Sequence, residues 1–488
     1  MYDYGIFIFR RDFRIIDNQG LILLKANVNE IIPIFIFDPK QIKKNKQYMS
    51  NPALQFICES IDNLNDILNN KLHIFYGDPL KIISSILKNI FFKNKTVAFG
   101  FNEDFTKYSI ERDNNIKELL RNKNIETISC DYDYTMCNMK YLIKDDGDPF
   151  KQYGAFRKNL LANKKNFTLI NNKKIIFINK KIMFDNLINN YHSFYKNPNY
   201  YKPMIYGNRK DALNILNNLI IFKDYNTNRD LLNYNTTHLS AYLNFGLISE
   251  REFYYAVYYN VNKNSLLLNQ IIWRDYYLTM LRFQEGAQSY EKHMDNRYNQ
   301  LKWLDYYSDN EKYKTKRHQQ SYNEWLIMMS SSTGFLLIDS AIREILSTGY
   351  MHNRCRLLVG YFCTKYLLIN PLTPVIGLMS WFSRHLIDCI TSQNKLNSQF
   401  ITELDFSGKK FSKNKIDGRP MSISNEMIKK YDYGCYYIKK WLPHLKDIDN
   451  KILYKWDIHG DIKIHPIPIF DQRERYQEWI SLCGKNTV

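Results

Sequence analysis

Two stretches of the chain carry residue types whose spacing could do chemistry. In Asn269-Gln270-Ile271-Ile272-Trp273-Arg274-Asp275-Tyr276-Tyr277, the residues Gln270, Trp273, Arg274 and Tyr277 recur three and four positions apart. On a helix that spacing puts them on one face. Such a face offers a flat ring for stacking, a cation for phosphate and an amide able to donate to a pyrimidine carbonyl. Spacing alone leaves a plainer alternative open, a core Trp beside an Arg whose stem lies along apolar surface. The second stretch is Thr236-Thr237-His238-Leu239-Ser240-Ala241-Tyr242-Leu243, with Tyr225 and Arg229 upstream. Small hydroxyls and backbone N–H groups at a helix start can surround phosphate oxygens without crowding them. Taken alone, the same run also reads as an ordinary helix cap.

These residues need elements to hold them. Gly5–Phe9, Ile31–Phe37, Leu72–Tyr76, Thr96–Gly100 and Glu126–Cys130 read as short buried strands. Helical patterns at Pro52–Asn69, Pro79–Asn89 and Phe105–Arg121, and an apolar stretch at Leu21–Ala26, lie between them. That alternation predicts a doubly wound parallel α/β sheet over residues 1–131. Residues 132–205, rich in Asn, Lys and Tyr, read as a long connection between domains. From residue 206 to 488 the pattern is helical, clearest at Gly207–Tyr225, Ser249–Asn260, Ser265–Met280, Asn323–Met329, Leu336–Thr348 and His352–Ile369. An α/β domain followed by a larger all-α domain is the predicted architecture.

Bulk properties narrow the function classes. A chain of 488 residues exceeds one hydrophobic core. Its formal charge of +19 points to an anionic partner, nucleic acid first. A coding bias towards Asn, Lys, Ile and Tyr would give the same charge without selection, so the motifs must decide. The eight cysteines form no Cys-x-x-Cys pair, which leaves zinc and iron–sulfur sites without support, and no metal site is expected. Free thiols are expected in place of disulfides. No apolar stretch reaches the length of a membrane span, and the amino terminus is too polar for a secretory signal. A soluble intracellular protein is expected, with nucleus, cytoplasm and virus-associated compartment left open.

Four segments of the carboxyl-terminal half carry a family resemblance. They are the Thr236–Leu243 run, the Asn269–Tyr277 helix, Ser332-Thr333-Gly334-Phe335 leading to Thr348-Gly349-Tyr350-Met351-His352-Asn353-Arg354-Cys355-Arg356-Leu357, and Trp381-Phe382-Ser383-Arg384-His385-Leu386-Ile387-Asp388 followed by Asn394. With Phe9–Asn18 and Ile32–Pro39 near the start and Tyr437–Pro443 near the end, they make the chain resemble the DNA photolyase/cryptochrome family over nearly its whole length. The resemblance implies that the helical domain binds FAD. Tyr225, Thr236, Thr237, Leu239, Ser240, Gln270, Arg274, Asn353, Arg356, Asp388 and Asn394 are then the expected cofactor contacts. Asp388 would pair with Arg356 beside the isoalloxazine ring, and Asn394 would lie next to flavin N5. Arg229, Trp273, Arg354, Leu357 and Phe400 are expected on the DNA side. Asn353, Gln270, Trp273 and Asn394 are the expected catalytic positions. The α/β domain in this family often holds a second, antenna chromophore, of folate or deazaflavin type, whose identity the sequence leaves open.

The chain also departs from the family pattern. His238, Leu267 and Ile390 stand where Arg, Trp and Asp are usual, and Leu336 where Pro is. His318, Pro371 and Ser398 align with the three Trp residues that commonly carry electrons to the flavin. Enzymes for cyclobutane dimers usually have Glu at the position of Gln270, whereas (6-4) enzymes have Gln there and His at the position of Asn353. The chain mixes the two patterns; Asn353 carries the greater weight, for cyclobutane dimers, because (6-4) chemistry calls for a proton donor that Asn cannot be, while Gln270 can still hydrogen-bond a thymine carbonyl. The expected function is light-driven splitting of cyclobutane pyrimidine dimers in double-stranded DNA by a monomer. The alternatives are a (6-4) photolyase, a non-repairing cryptochrome-type receptor and an inactive relative that only binds DNA.

Overall fold

The computed structural model describes the chain except residues 43–48, 170–174, 181, 285–298, 306–314, 374–376, 389–422, 424 and 485–488. The chain divides into two compact units. The first comprises Met1–Asn197, Ile205–Lys223 and Thr237–Gln284; the second comprises Pro198–Met204, Asp224–Thr236 and Glu285–Val488.

The first unit is built on five parallel strands, β1 (Tyr2–Phe9), β2 (Val28–Phe37), β3 (His73–Tyr76), β4 (Val97–Asn102) and β5 (Glu126–Cys130), in the order β3-β2-β1-β4-β5. The near-continuous apolar runs of β1 and β2 follow from burial on both faces, as a doubly wound sheet requires. Helices α1 (Gln19–Lys25), α2 (Asn51–Ile67), α3 (Pro79–Leu87) and α4 (Lys107–Arg121) cross between strands. Each starts on a side chain that accepts a backbone N–H: Asn18, Ser50, Asp78 and Thr106 in turn. The doubly wound α/β expectation holds.

The stretch expected as a long connection contains a helix, α5 (Tyr153–Ala162). Its apolar patterning is weak, and only Phe156 and Leu160 of it are buried, so periodicity gave little to read. The first unit also takes in α6 (Arg209–Asn217), α7 (Ser240–Asn244), α8 (Glu250–Asn260) and α9 (Leu266–Phe283). A buried ion pair ties α8 to the loop after β1: Arg251 meets Asp17 at 2.7 Å, beside the loop-to-loop pair Arg14–Asp133 at 2.8 Å. Arg11 also donates to the Asn244 carbonyl at 3.3 Å.

The second unit is helical among its described residues, with α10 (Lys316–Met329), α11 (Leu336–Thr348), α12 (Asn353–Tyr361), α13 (Leu378–His385) and α14 (Tyr436–Trp441). Its core runs through Ile338, Ile342, Ile345, Leu358, Phe362, Trp381, Ile438 and Leu442. The helix predicted over His352–Ile369 is α12 followed by a π turn at Phe362–Tyr366. No described helix is long and apolar enough to cross a membrane. The six described free cysteines are all buried.

Candidate functional site

In the second unit the predicted residues gather where α11 gives way to α12. Helix α11 ends at Gly349, whose φ of 70° is left-handed and suits a residue without Cβ. After a short turn, His352 caps α12, its Nδ1 accepting the Arg354 N–H at 3.2 Å. Asn353 opens the helix and is exposed. One turn on, Arg356 donates from Nη2 to Asp388 Oδ2 at 2.8 Å and from Nε to the Met351 carbonyl at 2.8 Å. The Ile387 N–H reaches the Gly349 carbonyl at 2.8 Å, so the turn that ends α11 also sets the backbone beside Asp388. The pair is nearly buried, with side chains 13% and 7% exposed. Burying such a pair costs as much desolvation as it returns, so its place here is better accounted for by a ligand than by stability.

The neighbouring residues complete this face. The Tyr350 ring lies under the Arg356 guanidinium at 5.5 Å, and its hydroxyl is 3.3 Å from Thr236 Oγ1. Burial pushes the Tyr350 hydroxyl up from its ordinary range, against the pull of Arg356. Tyr225 is buried. Arg354 grips Asp230 with Nε and Nη2, at 2.9 and 2.7 Å to Oδ1, and Arg229 lies 3.7 Å from the same carboxylate. Both cations expected on the DNA side therefore share one acidic partner. Leu357 is half-buried and packs against the helical core. Asn394, Phe400, Ile390 and Ser398 lie outside the described residues.

The first unit holds the remainder. His238 adopts a left-handed φ of 51°, and Thr237 Oγ1 accepts the Leu239 N–H at 3.4 Å. This turn buries Leu239 and leaves Ser240 exposed at the start of α7. On α9, Trp273 and Tyr277 stack with ring centroids 5.6 Å apart, as the spacing predicts. Tyr153 of α5 lies flat on Trp273, at 3.4 Å and 2°. Gln270 is half-buried and donates to the Leu266 carbonyl at 3.4 Å. Arg274 pairs with Glu250 at 2.6 Å and donates to the Tyr134 carbonyl at 2.6 Å. Its charge is thus met within the fold.

Sequence reasoning passed over Tyr153, Tyr350 and Asp230. Asp230 and Tyr350 adjoin residues that were singled out, and their chemistry was the available signal. Tyr153 gains its meaning only from a long-range contact.

Each unit by itself offers groups that a flavin dinucleotide uses: the second a guanidinium–carboxylate pair suited to a polar ring edge, the first hydroxyls with backbone N–H groups suited to a diphosphate. Among the described residues, no three His, Cys, Asp or Glu side chains are grouped as a metal would need.

Comparison with known proteins agrees with this chemistry. Residues 267–483 match the family model described as the FAD binding domain of DNA photolyase, and residues 6–173 match the one described as DNA photolyase. A deoxyribodipyrimidine photo-lyase of Buchnera aphidicola subsp. Acyrthosiphon pisum is 26% identical over 97% of this chain and 95% of its own length. A (6-4) DNA photolyase of Arabidopsis thaliana is 24% identical over 92% of this chain and 80% of its own. The crystal structure of an archaeal photolyase from Sulfolobus tokodaii, which contains two FAD molecules, superimposes with a TM-score of 0.79 at 25% identity, covering 99% of this chain and 100% of that one. The expected fold class and cofactor stand, and the chain belongs to the DNA photolyase/cryptochrome family, with FAD as its cofactor.

Proposed function

We propose that this protein repairs DNA with light, splitting cyclobutane pyrimidine dimers as a deoxyribodipyrimidine photo-lyase. The observation that carries this reading is Asn353 at the exposed start of α12, one turn ahead of the nearly buried Arg356–Asp388 pair. A neutral amide beside a flavin-binding pair can hydrogen-bond a lesion edge but cannot give it a proton. That suits a ring opening that needs an electron and not an acid.

On this reading, Lys and Arg side chains contact phosphates without reading sequence. Arg354 and Arg229 exchange Asp230 for phosphate as DNA arrives. The damaged pair, already poorly stacked, leaves the duplex at reduced cost. Trp273, backed on one face by Tyr153, and Phe400 stack against it, while Gln270 and Asn353 hydrogen-bond its edge. Thr236, Thr237, Leu239, Ser240 and Tyr225 hold the cofactor diphosphate, and Arg356, Asp388 and Asn394 its ring side. FAD, when bound and reduced, supplies on excitation the electron that opens the cyclobutane ring and takes it back afterwards, leaving no net oxidation. An antenna chromophore in the α/β unit is compatible with this scheme but not required by it.

A second reading rests on Gln270, the residue expected in a (6-4) enzyme. Defined oligonucleotides carrying either lesion separate the two under blue light, with the protein chemically reduced. Restoration of the cyclobutane dimer but not of the (6-4) product supports the proposal. The opposite preference, or restoration of neither, refutes it.

A further inference from the structure

Glu344 is a buried carboxyl with no part in the scheme above. It lies on α11, is 5% exposed, and uses one oxygen, Oε2, for two contacts. That oxygen accepts the His352 backbone N–H at 3.0 Å and the Tyr437 hydroxyl at 2.7 Å. The Cys355 thiol on α12 lies 3.5 Å from the same hydroxyl. Tyr437 is held in turn by Asp432, which accepts the N–H groups of Tyr437 and Ile438 at 2.8 and 2.9 Å. A single carboxylate thus joins α11, α14 and the residue that caps α12.

We propose that Glu344 is a positioning residue: anchored by Tyr437, it fixes the backbone of His352 and so the direction in which Asn353 and Arg356 are presented. This rests on the reading that puts those two residues at the flavin and the lesion. Burial pushes the Glu344 carboxyl up to about 7, so near neutral pH the fold keeps a group that is costly to ionise where Gln or Met would not be. The groups facing it are Tyr437 and Lys440 from α14, His352, Cys355 and Arg356 from the α12 side, and Tyr350 from the turn. Arg356 and Lys440 are the cations of that set. The charge on Glu344 is therefore felt by the guanidinium that also pairs with Asp388.

The test uses the FAD-loaded full chain and records the visible flavin spectrum from acid to alkaline pH, for wild type, E344Q and Y437F. Wild type should show a one-proton transition near neutrality. E344Q should bind FAD in full and show no transition. Y437F removes a donor that favours the carboxylate, and should move the midpoint upward by about 0.5 to 1 pH unit. A wild-type spectrum without a transition, or the same transition in E344Q, overturns the assignment. Should E344Q not fold, an unmoved midpoint in Y437F overturns it equally. Failure of the repair reading looks different: no dimer would be restored in light by any of the proteins, while the pH transition and its loss in E344Q would persist.

Discussion

Replacing Asp388 by Ala removes the carboxylate 2.8 Å from Arg356 Nη2 and leaves a guanidinium only 13% exposed. Its bond from Nε to the Met351 carbonyl is to a neutral group. Breaking a buried pair by deleting one partner costs about 3–5 kcal/mol. The residual exposure of Arg356 puts the expected loss near the lower end, at about 3 kcal/mol. D388N keeps an acceptor of the same shape but loses the charge, which should cost about 1–2 kcal/mol. The double variant R356M/D388L removes both charges together and should return to within about 1 kcal/mol of wild type. Urea unfolding of FAD-free protein, followed by far-ultraviolet circular dichroism, measures these differences. FAD titration supplies the second axis: D388A and the double variant should both bind at least about tenfold more weakly, equivalent to 1.4 kcal/mol. A D388A protein within about 0.5 kcal/mol of wild type, with unchanged FAD affinity, would refute the reasoning.

Three further outcomes follow from the same geometry. Asn353→Ala should abolish or greatly weaken light-dependent repair while FAD content, read from the visible spectrum, stays at the wild-type level. For Glu344 the folded carboxyl titrates at about 7 against an ordinary 4.5. The folded state therefore binds the extra proton, and stability is lost as pH rises through that window. E344Q should accordingly gain up to about 3 kcal/mol over wild type at pH 8 and little at pH 4, measured by urea unfolding at both. Gly334 has a φ of +77°, and a Cβ there would lie 2.1 Å from the Ile467 carbonyl carbon. Gly334→Ala should lower stability by at least about 3 kcal/mol in thermal unfolding, because that neighbour is backbone and cannot turn aside.

Much of the fold was legible because burial writes itself into sequence. The strands over Tyr2–Phe9 and Val28–Phe37 are apolar runs too short for helices, and α11 was bounded to the residue by its patterning and by Gly349. Helix α5 was missed because it buries little, and the π turn at Phe362–Tyr366 because it breaks a helix without breaking its hydrophobicity. At the site, the Arg356–Asp388 pair was reached through family resemblance, since no periodicity links residues that far apart. The Tyr153–Trp273 stack and the Glu344–Tyr437 bond are long-range contacts whose partners look unremarkable in their own segments. Arg354 was expected at DNA and Arg274 at the cofactor, and each is paired with a carboxylate in the fold. Their partners, Asp230 and Glu250, belong to other helices or turns and could not be read from spacing.

The central claim is that bound FAD and light together let this chain undo a cyclobutane dimer. Reduced protein reconstituted with FAD should restore a single-dimer oligonucleotide under blue light, and do so neither in the dark nor when stripped of flavin. Equal yields in light and darkness, or no restoration by the fully loaded and reduced protein, would contradict it.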